Sequence, residues 1–144
     1  MFRTLLISAG VLLFAAASRG ATIIVPVDVE TIQGGIDAAE DGDTLFVLPG
    51  EYRENIDFEG KAIAVIGIGT PRFTVIDGGG EGPCVTFDDA EGSASVLFGF
   101  TLRNGDAGDD GFGGGVDIHA AAPTVILNVI TGNRAGSGAV AGDD

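Results

Sequence analysis

Aspartates are the most numerous residues of this chain that could do chemistry. Asp106, Asp109, Asp110 and Asp117 fall within twelve residues of a glycine-rich stretch. Carboxylates and free carbonyl oxygens are the ligands that calcium prefers, so these four are candidate metal ligands. Their spacing fits neither an EF-hand loop nor the tandem glycine-rich calcium repeat. The alternative interpretation is an acidic, solvated loop with no cofactor.

A complete catalytic set is not recognisable, and we predict no catalytic residue. Asp88 and Asp89 are neighbours in PCVTFDD, and adjacent residues of a strand point to opposite faces, so a shared acid–base pair is not expected. Cys84 and His119 are the only cysteine and histidine. A single cysteine forms no intrachain disulfide, and an apolar strand is typical of a buried cysteine that has no catalytic role.

The stretch from Thr31 to Gly67 carries the clearest pattern of structural elements. Ile32, Ile36 and Ala39 recur at helical spacing, Thr31 is placed to cap the start, and Gly42 ends the segment. Two glycines inside it, at positions 34 and 35, cost about 1 kcal/mol each relative to alanine, which predicts a short helix. Thr44 to Leu48 then indicates a buried strand before the turn at Pro49-Gly50.

These residues resemble the opening of the pectin-lyase-like family of right-handed β-helix proteins. The family pattern TIQ.AIDAA..GDT..V.PG.Y.E matches this sequence between Thr31 and Glu54, with weaker similarity of pattern to about Gly136. The resemblance implies an all-β fold, a right-handed parallel β-helix solenoid with a short N-terminal capping helix. It divides the domain into a cap over residues 21–43 and coils over residues 44–144, and it suggests that the chain is an incomplete fragment.

Internal repetition supports a solenoid independently of that resemblance. Leu102 to Gly108 aligns with Ile130 to Gly136 at a shift of 28 residues, and an insertion falls within Asp109 to Gly113. Periods of 20 to 50 residues are typical of solenoids, whose repeats bury their apolar faces by stacking.

The apolar runs predict the order of the coils. In the run from Val96 to Leu102, the alternating set Val96, Phe98, Phe100 and Leu102 is predicted to face the interior, with Leu97 outward. The predicted coils are Thr44 to Leu48, Ile56 to Phe58 and Ala62 to Ile66 for the first; Phe73 to Ile76, Val85 to Phe87 and Val96 to Leu102 for the second; Val116 to Ile118 and Val125 to Ile130 for the third. A fourth coil is expected to begin at Ala139-Val140.

The catalytic motifs of the similar enzymes are incomplete here. Gly108-Asp109-Asp110 matches the GDD element of polygalacturonases, but the NTD, GHG and RIK elements of those enzymes have no counterpart. The context of Asp88 and Asp89 departs from that of the pectinesterase aspartates. Arg72, Arg103 and Arg134 are too scattered to suggest the pectate lyase arrangement.

The N-terminus predicts a secretory signal peptide over residues 1–20. Arg3, the apolar run from Leu5 to Ala17 and the small residues after it fit such a leader, and the run is too short to span a membrane. Its removal leaves 5 basic and 21 acidic residues, a net charge of −16. So acidic a surface argues against nucleic acid and anionic membrane surfaces as partners.

Two functional hypotheses follow. The first is a secreted, periplasmic or cell-surface β-helix module that binds a polysaccharide or a cell-surface protein. The second is the N-terminal part of a pectin-lyase-like carbohydrate-active enzyme, a lyase, hydrolase or esterase whose catalytic coils are missing here. Because nothing after Val140 resembles a cap, end-to-end self-association is a further expectation.

Overall fold

The computed structural model describes residues 20–109 and 111–137, and its regular structure is almost entirely β-strand. All nine strand pairings among these residues are parallel. The predicted all-β class is therefore confirmed, with parallel sheets. The predicted signal peptide lies outside the described residues, apart from Gly20.

The described chain contains twelve strands, one α-helix and one short 3-10 helix at Pro71–Phe73. The helix α1 spans Ile32–Ala38. The strands are β1 Thr22–Val25, β2 Thr44–Val47, β3 Gly50–Arg53, β4 Ile56–Asp57, β5 Ala64–Gly67, β6 Thr74–Asp77, β7 Val85–Phe87, β8 Val96–Phe98, β9 Thr101–Arg103, β10 Val116–Ile118, β11 Thr124–Ile126 and β12 Val129–Ile130.

The strands form three sheets that the chain visits in a fixed order. The five-stranded sheet has the order β1-β2-β5-β8-β11, the four-stranded sheet β12-β9-β6-β3, and the three-stranded sheet β10-β7-β4. From β2 onward the chain passes through the five-, four- and three-stranded sheets in turn and then begins again. We call each such pass a coil, and each coil pairs with the one before it.

The predicted 28-residue repeat is confirmed by the strand register. Leu102 pairs with Ile130 and Val96 with Thr124, and an isolated bridge joins Asp106 to Arg134. Earlier coils are less regular, since Thr44 pairs with Ala64 and Ala64 with Val96. Only the later coils therefore show an obvious repeat in the sequence.

The core lies between the three sheets, where one side chain from each strand stacks on the next. In the five-stranded sheet Leu45, Val65 and Leu97 are in register and fully buried. Phe58 and Phe87 pack together with their rings tilted and the ring centroids 4.4 Å apart. Such rows of aligned apolar side chains bury each coil against its neighbour, as stacked repeats require.

The helix α1 covers one end of this core and is short, as predicted. The Thr31 hydroxyl accepts a hydrogen bond from the Gly34 N–H at 3.0 Å, which confirms the predicted cap. The Glu54 carboxylate accepts hydrogen bonds from the N–H groups of Ile32 and Gln33, both at 2.9 Å. A Cβ at Gly35 would lie 2.7 Å from the Leu45 side chain, so this glycine permits close packing of helix on sheet.

The predicted facing of the run from Val96 to Leu102 is wrong in its first half. Leu97 is fully buried, whereas Val96 and Phe98 point outward and are half-buried. The cause is Gly99, whose φ of +85° turns the chain from the five-stranded to the four-stranded sheet. The alternation restarts after this corner, so Phe100 and Leu102 are buried as predicted.

The grouping of strands into coils also differs from the prediction. The strand β3 was not predicted, because it begins at the glycine of the expected turn. The strand at Ala64–Gly67 pairs with β2 and therefore begins the second coil instead of ending the first. The expected start of a fourth coil at Ala139 lies outside the described residues.

Candidate functional site

The outer face of the three-stranded sheet carries a row of carboxylates. Asp57 on β4 and Asp117 on β10 both lie beside Thr86 on β7, one on either side. Side chains alternate along a strand, so these three point away from the buried Val85 and Phe87. The parallel register thus brings residues far apart in the sequence onto one face.

Two further aspartates join this row where β7 ends. Asp88 and Asp89 follow Phe87, and their carboxylate oxygens lie within 4.8 Å of one another and of the Asp57 carboxylate. The expectation that they point apart is wrong, because β7 ends at Phe87 and strand alternation does not extend to them. We call Asp57, Asp88, Asp89 and Asp117 the carboxylate face.

The buried Glu91 holds the turn that presents these aspartates. Its side chain is 2% exposed, and its carboxylate accepts hydrogen bonds from the N–H groups of Gly60, at 2.9 Å, and Asp89, at 3.0 Å. Ala90, which lies between Asp89 and Glu91 in the sequence, has a positive φ of 62° and closes the bend. One buried carboxylate therefore links the turn after β4 to the turn after β7.

Like charges dominate the electrostatics of the carboxylate face. Loss of solvation raises the pKa of Asp88, and the negative charges of Asp57, Asp89, Glu91 and Asp117 add to that effect. Asp117 has one carboxylate oxygen that is buried and accepts no hydrogen bond. Within the described residues, no lysine, arginine or histidine forms an ion pair with these four aspartates.

Of the four aspartates predicted as metal ligands, the three that the structure describes do not form one cluster. Asp106 and Asp109 both bind the Arg134 guanidinium, at 2.9 and 2.8 Å. The pKa of Asp106 is lowered by the Gly108 N–H and by Arg134. Asp117 lies on the carboxylate face instead, and Asp110 lies outside the described residues.

Sequence reasoning missed the grouping of Asp57 with Asp88 and Asp89. These residues are about thirty positions apart, and only the pairing of Ile56 with Val85 aligns them. The available signal was the acidic residue at the end of two successive apolar runs. Carboxylates so placed can attract a hard cation or exchange protons, and both chemistries are open to this face.

Cys84 and His119 do not act together. The Cys84 thiol is fully buried and contacts the Arg103 carbonyl oxygen at 3.2 Å, and burial raises its pKa, which disfavours the thiolate. The exposed His119 ring stacks on Phe112, with centroids 5.7 Å apart. The expectation of a buried cysteine is confirmed.

A second charged group lies on the four-stranded sheet. Arg103 on β9 bridges Glu51 on β3 and the buried Asp77 on β6, at 2.8 and 3.2 Å. Asp77 also accepts hydrogen bonds from the Gly79 N–H and the Asn104 amide. These contacts satisfy the Asp77 carboxylate. Because β3, β6 and β9 belong to successive coils, the charged group connects three coils.

Comparison of the chain with known protein families, with curated proteins and with solved structures gives no match. No helix in the described part of the chain is long and apolar enough to cross a membrane.

Proposed function

We propose that this chain is a secreted or cell-surface right-handed parallel β-helix module that binds a polysaccharide or a cell-surface protein. The observation that carries the proposal is the repeated passage through three parallel sheets in one order. This topology produces straight outer faces on which residues from successive coils stand in register. Such a face suits an extended ligand.

The composition of the faces favours binding over catalysis. The carboxylate face has no cationic partner among the described residues, and Asp88 and Asp89 are exposed. A hydrolase needs a proton donor and a second carboxylate held in fixed positions, usually in a dry cleft. The buried Glu91 fixes the turn, but Asp88 and Asp89 in this turn remain exposed to solvent.

The alternative is the N-terminal part of a pectin-lyase-like enzyme, and one observation favours it. Asp57, Asp88 and Asp89 lie together, and the pKa of Asp88 is raised above its ordinary value, as in carboxyl groups that donate protons. The same cluster offers oxygen ligands to calcium. Activity and binding are therefore both measured with and without this ion.

Screening the purified chain against immobilised glycans and cell-surface proteins tests the binding proposal. We expect a saturable ligand and no release of reducing ends, unsaturated products or methanol from pectin or polygalacturonate. Turnover that disappears in an Asp88→Asn variant would establish the enzyme alternative. Loss of turnover in an Asp109→Asn variant would do the same, because Asp109 lies in the GDD match. The control is Glu81→Gln, an exposed carboxylate outside both groups.

Self-association is proposed at the last described coil. The terminal strands of the three sheets there are β10, β11 and β12. They expose apolar side chains that would be interior in a longer stack, including Ile118 at 47% and Ile130 at 53%. Unpaired strand edges beside apolar side chains recruit further strands, so end-to-end pairing would cover both.

A further inference from the structure

The outer face of the five-stranded sheet has a composition unlike the other two. Ten side chains point outward from its strands, and none of them is charged. By register they form two rows across the sheet: Thr22, Thr44, Ala64, Val96 and Thr124 in one, and Ile24, Phe46, Ile66, Phe98 and Ile126 in the other. In a chain of net charge −14, so neutral a surface is unexpected.

The second of these rows is apolar and partly open to solvent. Its inner members are half-buried because neighbouring coils flank them, and Ile126 at the edge is 46% exposed. The rings of Phe46 and Phe98 lie on either side of Ile66. They stand two strands apart, which at the usual spacing is about 9.6 Å. We call the two rows together the apolar face.

The apolar face is too small to be the interface of a stable dimer. Four strand spacings make it about 19 Å long, and two outward positions on each strand make it about 10 Å wide. Its footprint is thus about 200 Å², whereas a specific protein interface buries about 800 Å² on each partner. The dimensions fit a narrow, linear ligand better than a folded partner.

A polysaccharide fits this face better than an extended peptide does. The inner strands β2, β5 and β8 are paired on both sides, so their backbone groups are already used in the ladders. A peptide lying flat on such a face would therefore gain no backbone hydrogen bonds from these strands. A sugar ring can instead place its C–H face on the apolar surface and direct its hydroxyl groups sideways into water.

The charge of the chain selects a neutral polymer. Acidic residues outnumber basic ones by 21 to 7, so a uronan or a sulfated glycan would be repelled. In an extended β-1,4-linked chain, every second sugar presents the same face. The separation of Phe46 and Phe98 is about the length of one such disaccharide unit, at about 9.6 Å.

Resting on the binding function proposed above, we propose that the apolar face binds a neutral, extended polysaccharide, which lies across the strands with sugar rings stacked on Phe46 and Phe98. The hydroxyl groups of Thr22 and Thr44 border the bound chain. The carboxylate face has no part in this contact.

The test compares ring removal on the apolar face with ring removal elsewhere. Native gels containing hydroxyethylcellulose, xyloglucan, galactomannan or polygalacturonate measure the retardation of the full chain. We expect retardation by at least one neutral polymer, and a Phe46→Leu/Phe98→Leu variant should bind it at least about tenfold more weakly. The matched control is Phe73→Leu, since Phe73 is 60% exposed on the 3-10 helix, and it should bind within about twofold of wild type.

A measurement on the wild-type chain does not depend on whether the double variant folds. Isoleucine methyl resonances should shift on addition of the bound polymer for Ile24 and Ile66, but not for Ile118, which lies at the exposed end of another sheet. Two results would overturn the apolar face as the site: retardation by a neutral polymer without these shifts, and unchanged affinity in the double variant. Either result would leave the proposed binding function standing. Binding only to polygalacturonate, to a peptide or to a protein would do the same. Absence of any ligand in this assay and in the broader screen would overturn both.

Discussion

At the scale of single residues, the same side-chain type has opposite roles on two sheets. Asp77 is buried and its carboxylate accepts hydrogen bonds from a backbone N–H, an amide and a guanidinium. Burial alone raises the pKa of Asp77, but these donors outweigh it, and the pKa lies below its usual range. Asp88 is surrounded by carboxylates instead, and its pKa is raised.

This difference predicts opposite effects of the same substitution. Asp77→Asn should lower the free energy of unfolding by about 1 to 2 kcal/mol at neutral pH, since charge-assisted hydrogen bonds are lost. Because the folded-state pKa of Asp77 is depressed, its stabilisation is present above the unfolded pKa of about 3.9 and is lost as pH falls through the folded value. Denaturant unfolding at pH 7 and pH 3 measures both effects, and the difference from wild type should shrink at pH 3.

Asp88→Asn is the control. Its ionised form is disfavoured in the folded state, so the substitution should leave stability at pH 7 unchanged or raised. A loss of stability as large as that of Asp77→Asn would contradict the assignment of the two environments.

At the scale of elements, the strands are short and the corners between them determine which side chains are buried. Gly99 has a φ of +85°, and a Cβ there would lie 2.9 Å from the Gly67 carbonyl oxygen of the preceding coil. The corner therefore needs both a left-handed backbone and a close approach of two coils. An L side chain satisfies neither requirement.

Gly99→Ala should therefore destabilise the fold by about 1 to 3 kcal/mol, the usual cost of a strained backbone position. Thermal or denaturant unfolding measures the loss. Gly92→Ala is the matched control, because it has open space around its Cβ position and no positive φ. Equal stability of the two variants would show that the corner tolerates a side chain.

At the scale of the whole molecule, the two ends of the coil stack differ. The helix α1 covers one end, with Ile32 and Ile36 fully buried. At the other end of the described coils, a row of aligned side chains ends at Ile130, which is 53% exposed. The other members of this row are Tyr52, Ile76 and Leu102. The end-to-end pairing proposed above would join two such open ends and give a closed dimer, not a filament.

We expect the mass measured by light scattering to rise with protein concentration toward that of a dimer. Ile130→Lys should abolish the rise, because a charge at the centre of the open end would be buried in the pair. Val27→Lys replaces an aliphatic residue that is 68% exposed elsewhere, and it should leave the rise unchanged. A monomer at every concentration would contradict end-to-end pairing.

Export is a prediction at this scale as well. The exported protein should begin at Ala21, or alternatively at Ser18, because the leader has its basic, apolar and small-residue segments in the expected order. Intact-mass measurement of secreted material determines the N-terminus. Retention of Met1 in exported protein would contradict a cleaved signal peptide.

The sequence by itself determined the elements whose signals are local. The cap at Thr31, the short helix and the 28-residue repeat follow from residues near one another or from copies of one pattern, and all three are present. The parallel all-β class could also be predicted, since the sequence after Asp41 shows no second helix of about ten residues or more that could connect parallel strands.

Only the tertiary structure decided which strands share a sheet and which face each side chain occupies. A corner such as Gly99 resets the alternation, so counting residues along the chain placed Leu97 on the wrong side. Register between coils of unequal length placed Asp57 beside Asp88, and it aligned Phe46 with Phe98 across β5. These groupings depend on hydrogen bonds between strands 20 to 32 residues apart, and no pattern within one strand encodes such pairing.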